Sequence, residues 1–202
     1  MTSLNARTIL IAIFMFLIIG GVGAVLYRAT AQHQIAGEPK DLDFETAAAR
    51  LGGFSPLSDT PLIPNVKMFD EGGATVTFEA FRGKVVLFNL WATWCPPCIR
   101  EMPDLDALQQ DFSGRDFIVV PVASGKQGRE EPAEFLRDRG LMALTTYYDP
   151  GSLFLRMFDV ETLPTTFLID KTGKMRGGVL GLADWHSDEA KDIIEALLNE
   201  PS

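Results

Sequence analysis

Apolar and polar residues divide the chain into one long apolar segment and a region of alternating shorter patterns. Residues 8–27 contain no charged side chain, and Arg7 and Arg28 bracket them. At about 1.5 Å of rise per residue, a helix of this length spans roughly the 30 Å hydrocarbon core of a bilayer. We therefore predict a transmembrane anchor at 8–27 that follows a cytoplasmic N-terminus at 1–7.

Two alternatives for this apolar segment stay open. Ala29-Thr30-Ala31 fits the small-residue pattern of a signal-peptide cleavage site, so the leader could be removed after Ala31. A helix buried in a soluble domain would also be apolar, although it would normally show a polar face. One arginine on each side gives the positive-inside rule little to distinguish the two orientations.

Residues 28–60 lack a clear period and are rich in glycine and proline, which favours a tether. Within it, residues 44–51 are predicted to form a short helix that Gly52 and Gly53 end. From residue 61 to 202, apolar runs typical of strands alternate with helical periodicities, beginning with a hairpin around the turn at 70–73. The alternation predicts an α/β domain with a mixed sheet covered on both faces. The predicted strands are 65–69, 74–78, 85–91, 117–122, 145–148, 165–169 and 175–180, and the predicted helices are 97–112, 132–139, 152–158 and 187–199.

Composition and charge exclude several classes of protein. The 202 residues are 47% hydrophobic, so a chain disordered throughout is excluded. The net charge of −9 argues against a nucleic-acid partner, because phosphate binding needs clustered Lys and Arg. Two cysteines are too few for a disulfide-stapled scaffold.

The two cysteines, Cys95 and Cys98, lie where a buried strand gives way to a helix. Unpaired N–H groups and the helix dipole lower the pKa of a thiol at such a position, so Cys95 is predicted to attack and Cys98 to resolve. Pro97 suits the first helical turn, where its missing N–H leaves nothing unpaired. Pro96 and Pro97 together remove two donors and so tune the potential, in a direction that the sequence does not determine.

The two cysteines could also serve in ways other than as a redox pair. A stabilising disulfide would close a ring of only four residues and contribute about 2 kcal/mol. A zinc site needs four ligands, and only His33 and His186 could join the cysteines, so no metal and no cofactor are predicted. A Cu(I)-binding chaperone that uses Cys95, Cys98 and His186 is an alternative. A peroxidase is disfavoured because Thr93 has no clear arginine partner.

Two further residues extend the predicted site. Pro164 stands at the start of a strand, where it could be cis, face Cys95 and leave neighbouring backbone free for an extended peptide; an ordinary edge proline is the alternative. Trp94 is predicted to shield the cysteines and to offer a surface to partners, whereas Trp91 is predicted to be core.

The motifs together resemble the thioredoxin superfamily, and within it the TlpA/ResA/CcmG branch of membrane-anchored bacterial thiol–disulfide proteins. The matching segments are 83–98 (GKVVLFNLWATWCPPC), 101–103, 163–170 and the TlpA-like 181–185. This resemblance implies a thioredoxin-like fold over 61–202, with a mixed central sheet flanked by helices and an N-terminal β-hairpin extension. It also implies a Cys95–Cys98 redox pair and a cis bond before Pro164.

The resemblance further implies a single anchor in the inner membrane with the catalytic domain in the periplasm. The branch mostly acts as reductant of apocytochrome c or of copper-handling proteins in cytochrome oxidase assembly. We therefore expect a monomeric protein-disulfide reductase that a membrane electron donor re-reduces. A periplasmic dithiol oxidant remains an alternative.

One position departs from the thioredoxin pattern. Many thioredoxins carry a buried Asp six residues before the first cysteine as proton acceptor, and here Asn89 stands there. Glu161 is one candidate replacement, with a solvated loop charge as its alternative. Glu101 is predicted to be a surface charge that complements the helix dipole rather than a base.

Overall fold

A computed structural model describes residues 42–125 and 130–201. The helices in these ranges are α1 (Phe44–Arg50), α2 (Pro96–Asp111), α3 (Glu130–Asp138), α4 (Leu153–Met157) and α5 (Asp188–Asn199), with a 3-10 turn at Phe78–Phe81. The strands are β1 (Phe54–Pro56), β2 (Met68–Phe69), β3 (Thr75–Val76), β4 (Val85–Trp91), β5 (Phe117–Ser124), β6 (Tyr147–Asp149), β7 (Thr165–Ile169) and β8 (Met175–Leu180).

The strands form one mixed sheet in the order β1-β8-β7-β4-β5-β6-β2-β3. β4 runs parallel to β5 and β5 to β6, while the other neighbouring strands are antiparallel. Every residue of β4 is buried, as its nearly unbroken apolar sequence predicts for a central strand. The predicted α/β architecture is confirmed, and the hairpin of β2 and β3 is shorter than predicted.

Alternate residues of β4 divide the core into two clusters, because successive side chains point to opposite faces of a sheet. Leu87 and Trp91 belong to the cluster beneath α1, α2 and α5. Phe88 belongs to the other cluster, where its ring meets those of Phe78 and Phe154 edge to face at 5.0 and 5.1 Å. Each such ring pair contributes about 0.5–1.5 kcal/mol beyond burial. The prediction that Trp91 is core is confirmed, since none of it is exposed.

The domain begins N-terminal to the predicted boundary at residue 61. The predicted helix at 44–51 is present as α1, but it packs on α5 and buries Phe44, Ala47 and Ala48. β1 pairs antiparallel with β8, so Phe54 stands opposite Val179. The domain therefore includes residues that we predicted to be tether, and its start at residue 61 is wrong. Elements this short carry too little periodicity to reveal their partners.

The predicted anchor at 8–27 and the predicted cytoplasmic N-terminus lie outside the described residues. Among the residues that the structure describes, no helix combines the length and the apolar character needed to cross a bilayer.

Candidate active site

Cys95 occupies the N-cap of α2, directly after the connection from β4. Its Sγ accepts a hydrogen bond from the backbone N–H of Cys98 at 3.3 Å, and the two cysteines are joined in a disulfide. Pro96 and Pro97 fill the first two helical positions. Since neither proline has an N–H, the Cys98 amide is the first donor that α2 offers to the sulfur. This donor and the helix dipole favour a thiolate at Cys95 once the disulfide is reduced.

An open groove runs beside Cys95. One wall continues the cysteine motif with Trp94, Pro96 and Pro97, and the other comes from α4 and the loop before β7. Trp94 is 67% exposed, as expected for a side chain that faces partners. The residues of the second wall are Leu155, Val160, Glu161, Thr162 and Leu163.

Pro164 follows the groove residue Leu163 and precedes β7. The Leu163–Pro164 peptide bond is cis, in agreement with the resemblance. The Pro164 carbonyl accepts a hydrogen bond from the Gly181 N–H at 2.8 Å, which joins this loop to the end of β8. The structure thus brings the proline loop and the cysteine motif to one site.

Glu161 is exposed on the groove wall, whereas Cys98 is fully buried and does not line the groove. An acceptor for the proton of Cys98 must reach the buried sulfur. The position of Glu161 therefore agrees with the alternative interpretation, a solvated loop charge.

Glu101 is buried, so its prediction as a surface charge is wrong. It is 0% exposed, and its Oε1 accepts a hydrogen bond from Asn89 Nδ2 at 2.7 Å. The same amide donates to Thr166 Oγ1 at 2.9 Å, which fixes its orientation between α2 and β7. Glu101 follows Cys98 by three residues on α2 and thus shares its inward face. Its position three residues after Cys98, about one helical turn further along α2, is the sequence signal that could have found it.

Burial raises the pKa of Glu101 to about 7, because desolvation disfavours the ionised carboxylate. The Asn89 amide opposes this shift, as do the Ala183 N–H and the Trp185 indole. The indole Nε1 of Trp185 and Glu101 Oε2 do not reach hydrogen-bond geometry with any described residue. The carboxyl can therefore exchange a proton near neutral pH, which is the requirement for a general acid or base.

His186 is held away from the cysteines. Its Nε2 lies 3.0 Å from the Asp111 carboxylate and 3.2 Å from Lys191 Nζ. Asp111 ends α2, so it lies about 20 Å along the helix axis from Cys98. The alternative in which His186 and both cysteines bind one copper ion is therefore wrong.

A thioredoxin-like sheet, a Cys-Pro-Pro-Cys pair that opens a helix and a proline loop beside it define the thiol–disulfide class of proteins. The model of the AhpC/TSA family matches residues 61–177, and the chain belongs to that family. It is a thiol–disulfide oxidoreductase of the TlpA/ResA/CcmG type, as its sequence predicts.

Individual relatives agree with this assignment. The chain is 35% identical over 120 residues to the thiol-disulfide oxidoreductase ResA of Geobacillus thermodenitrificans. The aligned residues are 58% of this chain and 67% of the relative. ResA of Bacillus subtilis is 30% identical over 133 residues, 66% of this chain and 73% of the relative. A crystal structure from Chlorobium tepidum, described as a thiol:disulfide interchange protein DsbE, is 26% identical with a TM-score of 0.63. The matched region covers 71% of this chain and 99% of the Chlorobium tepidum chain.

Proposed function

We propose that this chain is a protein-disulfide reductase in which Cys95 is the nucleophile and Cys98 the resolving thiol. The Cys95 thiolate attacks one sulfur of a substrate disulfide, forming a mixed disulfide and releasing the other substrate sulfur as thiolate. The Cys98 thiolate then attacks Cys95 Sγ and releases the second substrate sulfur. Two electrons pass to the substrate, and the protein is left with the Cys95–Cys98 disulfide. The observation that carries this proposal is the Cys95 sulfur at the N-cap of α2.

Glu101 serves as the proton acceptor in the second step. Cys98 is fully buried, so its thiol proton needs a nearby group to receive it. The carboxyl lies one helical turn further along α2, with a pKa of about 7 that suits exchange with a thiol. Asn89 holds this carboxyl in place rather than accepting the proton itself.

The groove receives the substrate segment that carries the attacked cysteine. Leu163, which lines the groove, and the cis-Pro164 that follows it lie along the backbone of that segment, and Trp94, Pro96 and Pro97 contact its side chains. The apolar character of most of these residues supports this role, because burial of apolar surface stabilises a transient complex.

Residues 8–27 form the single anchor in the inner membrane, with 1–7 in the cytoplasm and the catalytic domain in the periplasm. The substrates are disulfides of apocytochrome c or of copper-assembly proteins of cytochrome oxidase, and a membrane electron donor re-reduces the monomeric protein. The uncharged length of 8–27 and the resemblance to the TlpA/ResA/CcmG branch support this setting.

The reduction potential of the Cys95–Cys98 couple tests the direction of electron flow. Equilibration with glutathione or dithiothreitol buffers, followed by thiol labelling, measures it. We expect a value near that of thioredoxin, about −270 mV, which fits a reductant. A value near about −120 mV would instead support the periplasmic oxidant and would leave the fold and the thiol chemistry unaffected.

A further inference from the structure

Glu161 is the one charged residue among those that line the groove beside Cys95. Its neighbours on the same wall are Thr162 and three apolar residues, Leu155, Val160 and Leu163. Trp94 faces them from the other wall. A partner that fills this groove therefore meets mostly apolar surface and a single carboxylate.

This carboxylate differs from many acids of the domain in having no cation beside it. Acids that form ion pairs are Glu71, Glu79, Asp111, Asp170, Glu189, Asp192, Glu195 and Glu200. In residues 42–125 and 130–201, no Lys or Arg nitrogen comes within 4.0 Å of the Glu161 carboxylate. The charge is thus available to a partner, and the apolar walls reduce the water that would screen it once the groove is filled.

We propose that Glu161 is a specificity-determining residue, which selects disulfide partners that carry a Lys or Arg side chain within a few residues of the cysteine that Cys95 attacks. The inference rests on the proposed function, since it names the substrate class of the same groove. The preferred segment is extended and contains the attacked cysteine. It also carries an apolar side chain that packs against Leu155, Val160 and Leu163, and a cation that pairs with Glu161.

The net charge of −9 also attracts basic peptides, so the test must separate a local effect from a global one. Three peptides of one sequence would carry Lys, Gln or Glu beside the cysteine, each as a mixed disulfide with the chromophore thionitrobenzoate. The rate at which the reduced protein releases the chromophore gives a second-order rate constant for each peptide. Comparing the Lys-to-Glu rate ratio between protein variants cancels the intrinsic reactivity of the peptides.

Glu161→Gln is expected to lower this rate ratio about threefold, which corresponds to the free energy of one partly exposed ion pair. Glu161→Lys is expected to lower the ratio further. Glu45→Gln is the matched control, because it makes the same change of charge at an exposed site on α1 outside the groove. High salt should compress the wild-type ratio toward that of Glu161→Gln.

Equal ratios in Glu161→Gln and Glu45→Gln would overturn the inference, since the preference would then follow net charge alone. A Glu161→Lys variant that retains the wild-type preference would do the same. Absence of exchange with all three peptides, while both thiols of the reduced protein titrate normally, would instead contradict the proposed function itself.

Discussion

The two sides of the Cys95–Cys98 disulfide differ in their access to water. On the inner side, Cys98 and Glu101 are fully buried, and Asn89 holds the carboxylate. On the outer side, Cys95 borders a groove where Trp94 and Glu161 are exposed. Each side has one glutamate near the redox pair, and burial gives the two different chemistry.

Burial converts the inner glutamate into a group that titrates near neutral pH, because an ion loses its hydration there. The outer glutamate keeps contact with water and presents a charge to partners. We propose that proton transfer takes place on the inner side of the disulfide and partner recognition on its outer side. Substitutions confined to one side should change one of these properties and spare the other.

The largest effects are expected at the sulfurs, where the two sides meet. Cys95→Ser should abolish turnover, because no thiolate remains to attack. Cys98→Ser should accumulate mixed disulfides with substrate, since the resolving step is lost. Non-reducing gels and mass spectrometry of the trapped complexes measure this. If Cys95→Ser traps partners and Cys98→Ser traps none, the assigned order of the sulfurs is reversed.

A smaller but still large effect is expected at the inner glutamate. Glu101→Gln should slow resolution of the mixed disulfide about 100-fold at pH 7, the range typical of a lost general base. In the wild type the rate should rise as the pH passes through about 7, where Glu101 loses its proton, and the variant should lack this inflection. Stopped-flow measurement of the resolving step checks both.

Asp111→Asn serves as the control for this experiment, because it removes another acid of α2 at the far end of the helix, about 20 Å along its axis from Cys98. It should leave the resolving step within about twofold of wild type, as expected for a site away from the reacting groups. An equal loss in both variants would show that the charge of the helix, rather than the Glu101 carboxyl, governs resolution.

The burial of Glu101 also makes stability depend on pH. The folded protein keeps the proton up to about pH 7, whereas the unfolded chain releases it near the ordinary value of 4.5. The folded state therefore binds more protons between these values, and the free energy of unfolding falls as the pH rises through this window. The total loss is about 3 kcal/mol, from the size of the pKa shift.

Glu101→Gln removes this dependence, so the variant should gain up to about 3 kcal/mol relative to wild type at pH 8 and little at pH 4. Urea unfolding of the oxidised proteins at both pH values measures the difference. A difference that is the same at both pH values would mean that the carboxyl does not titrate in this window.

The smallest effect is expected on the outer side. Trp94→Ala should slow exchange with peptide and protein disulfides about fivefold, because partners lose an apolar contact worth about 1 kcal/mol. Exchange with a small disulfide such as oxidised glutathione should be unchanged. Stability should stay within about 0.5 kcal/mol of wild type, since the side chain is 67% exposed. A loss of stability above that would place Trp94 in the structural core.

Much of the site was predictable because its signals are local. The apolar run of β4, the prolines that open α2 and the cysteine spacing all act within about ten residues of chain. The position of Pro164 at the start of β7 is likewise local. Pairing of Asn89 with Thr166 on β7 joins residues far apart in the chain, and no local pattern indicates it.

The residues by themselves determined that a reactive sulfur would stand at the beginning of a helix, because helix capping depends on a few consecutive positions. Tertiary structure alone decided which glutamate is buried, and that α1 and β1 belong to the domain. A carboxyl shifts its pKa only when other elements remove its water, and here β4, β7 and the loop before α5 surround Glu101. Short amphipathic pieces such as α1 find their place only through the surface against which they pack.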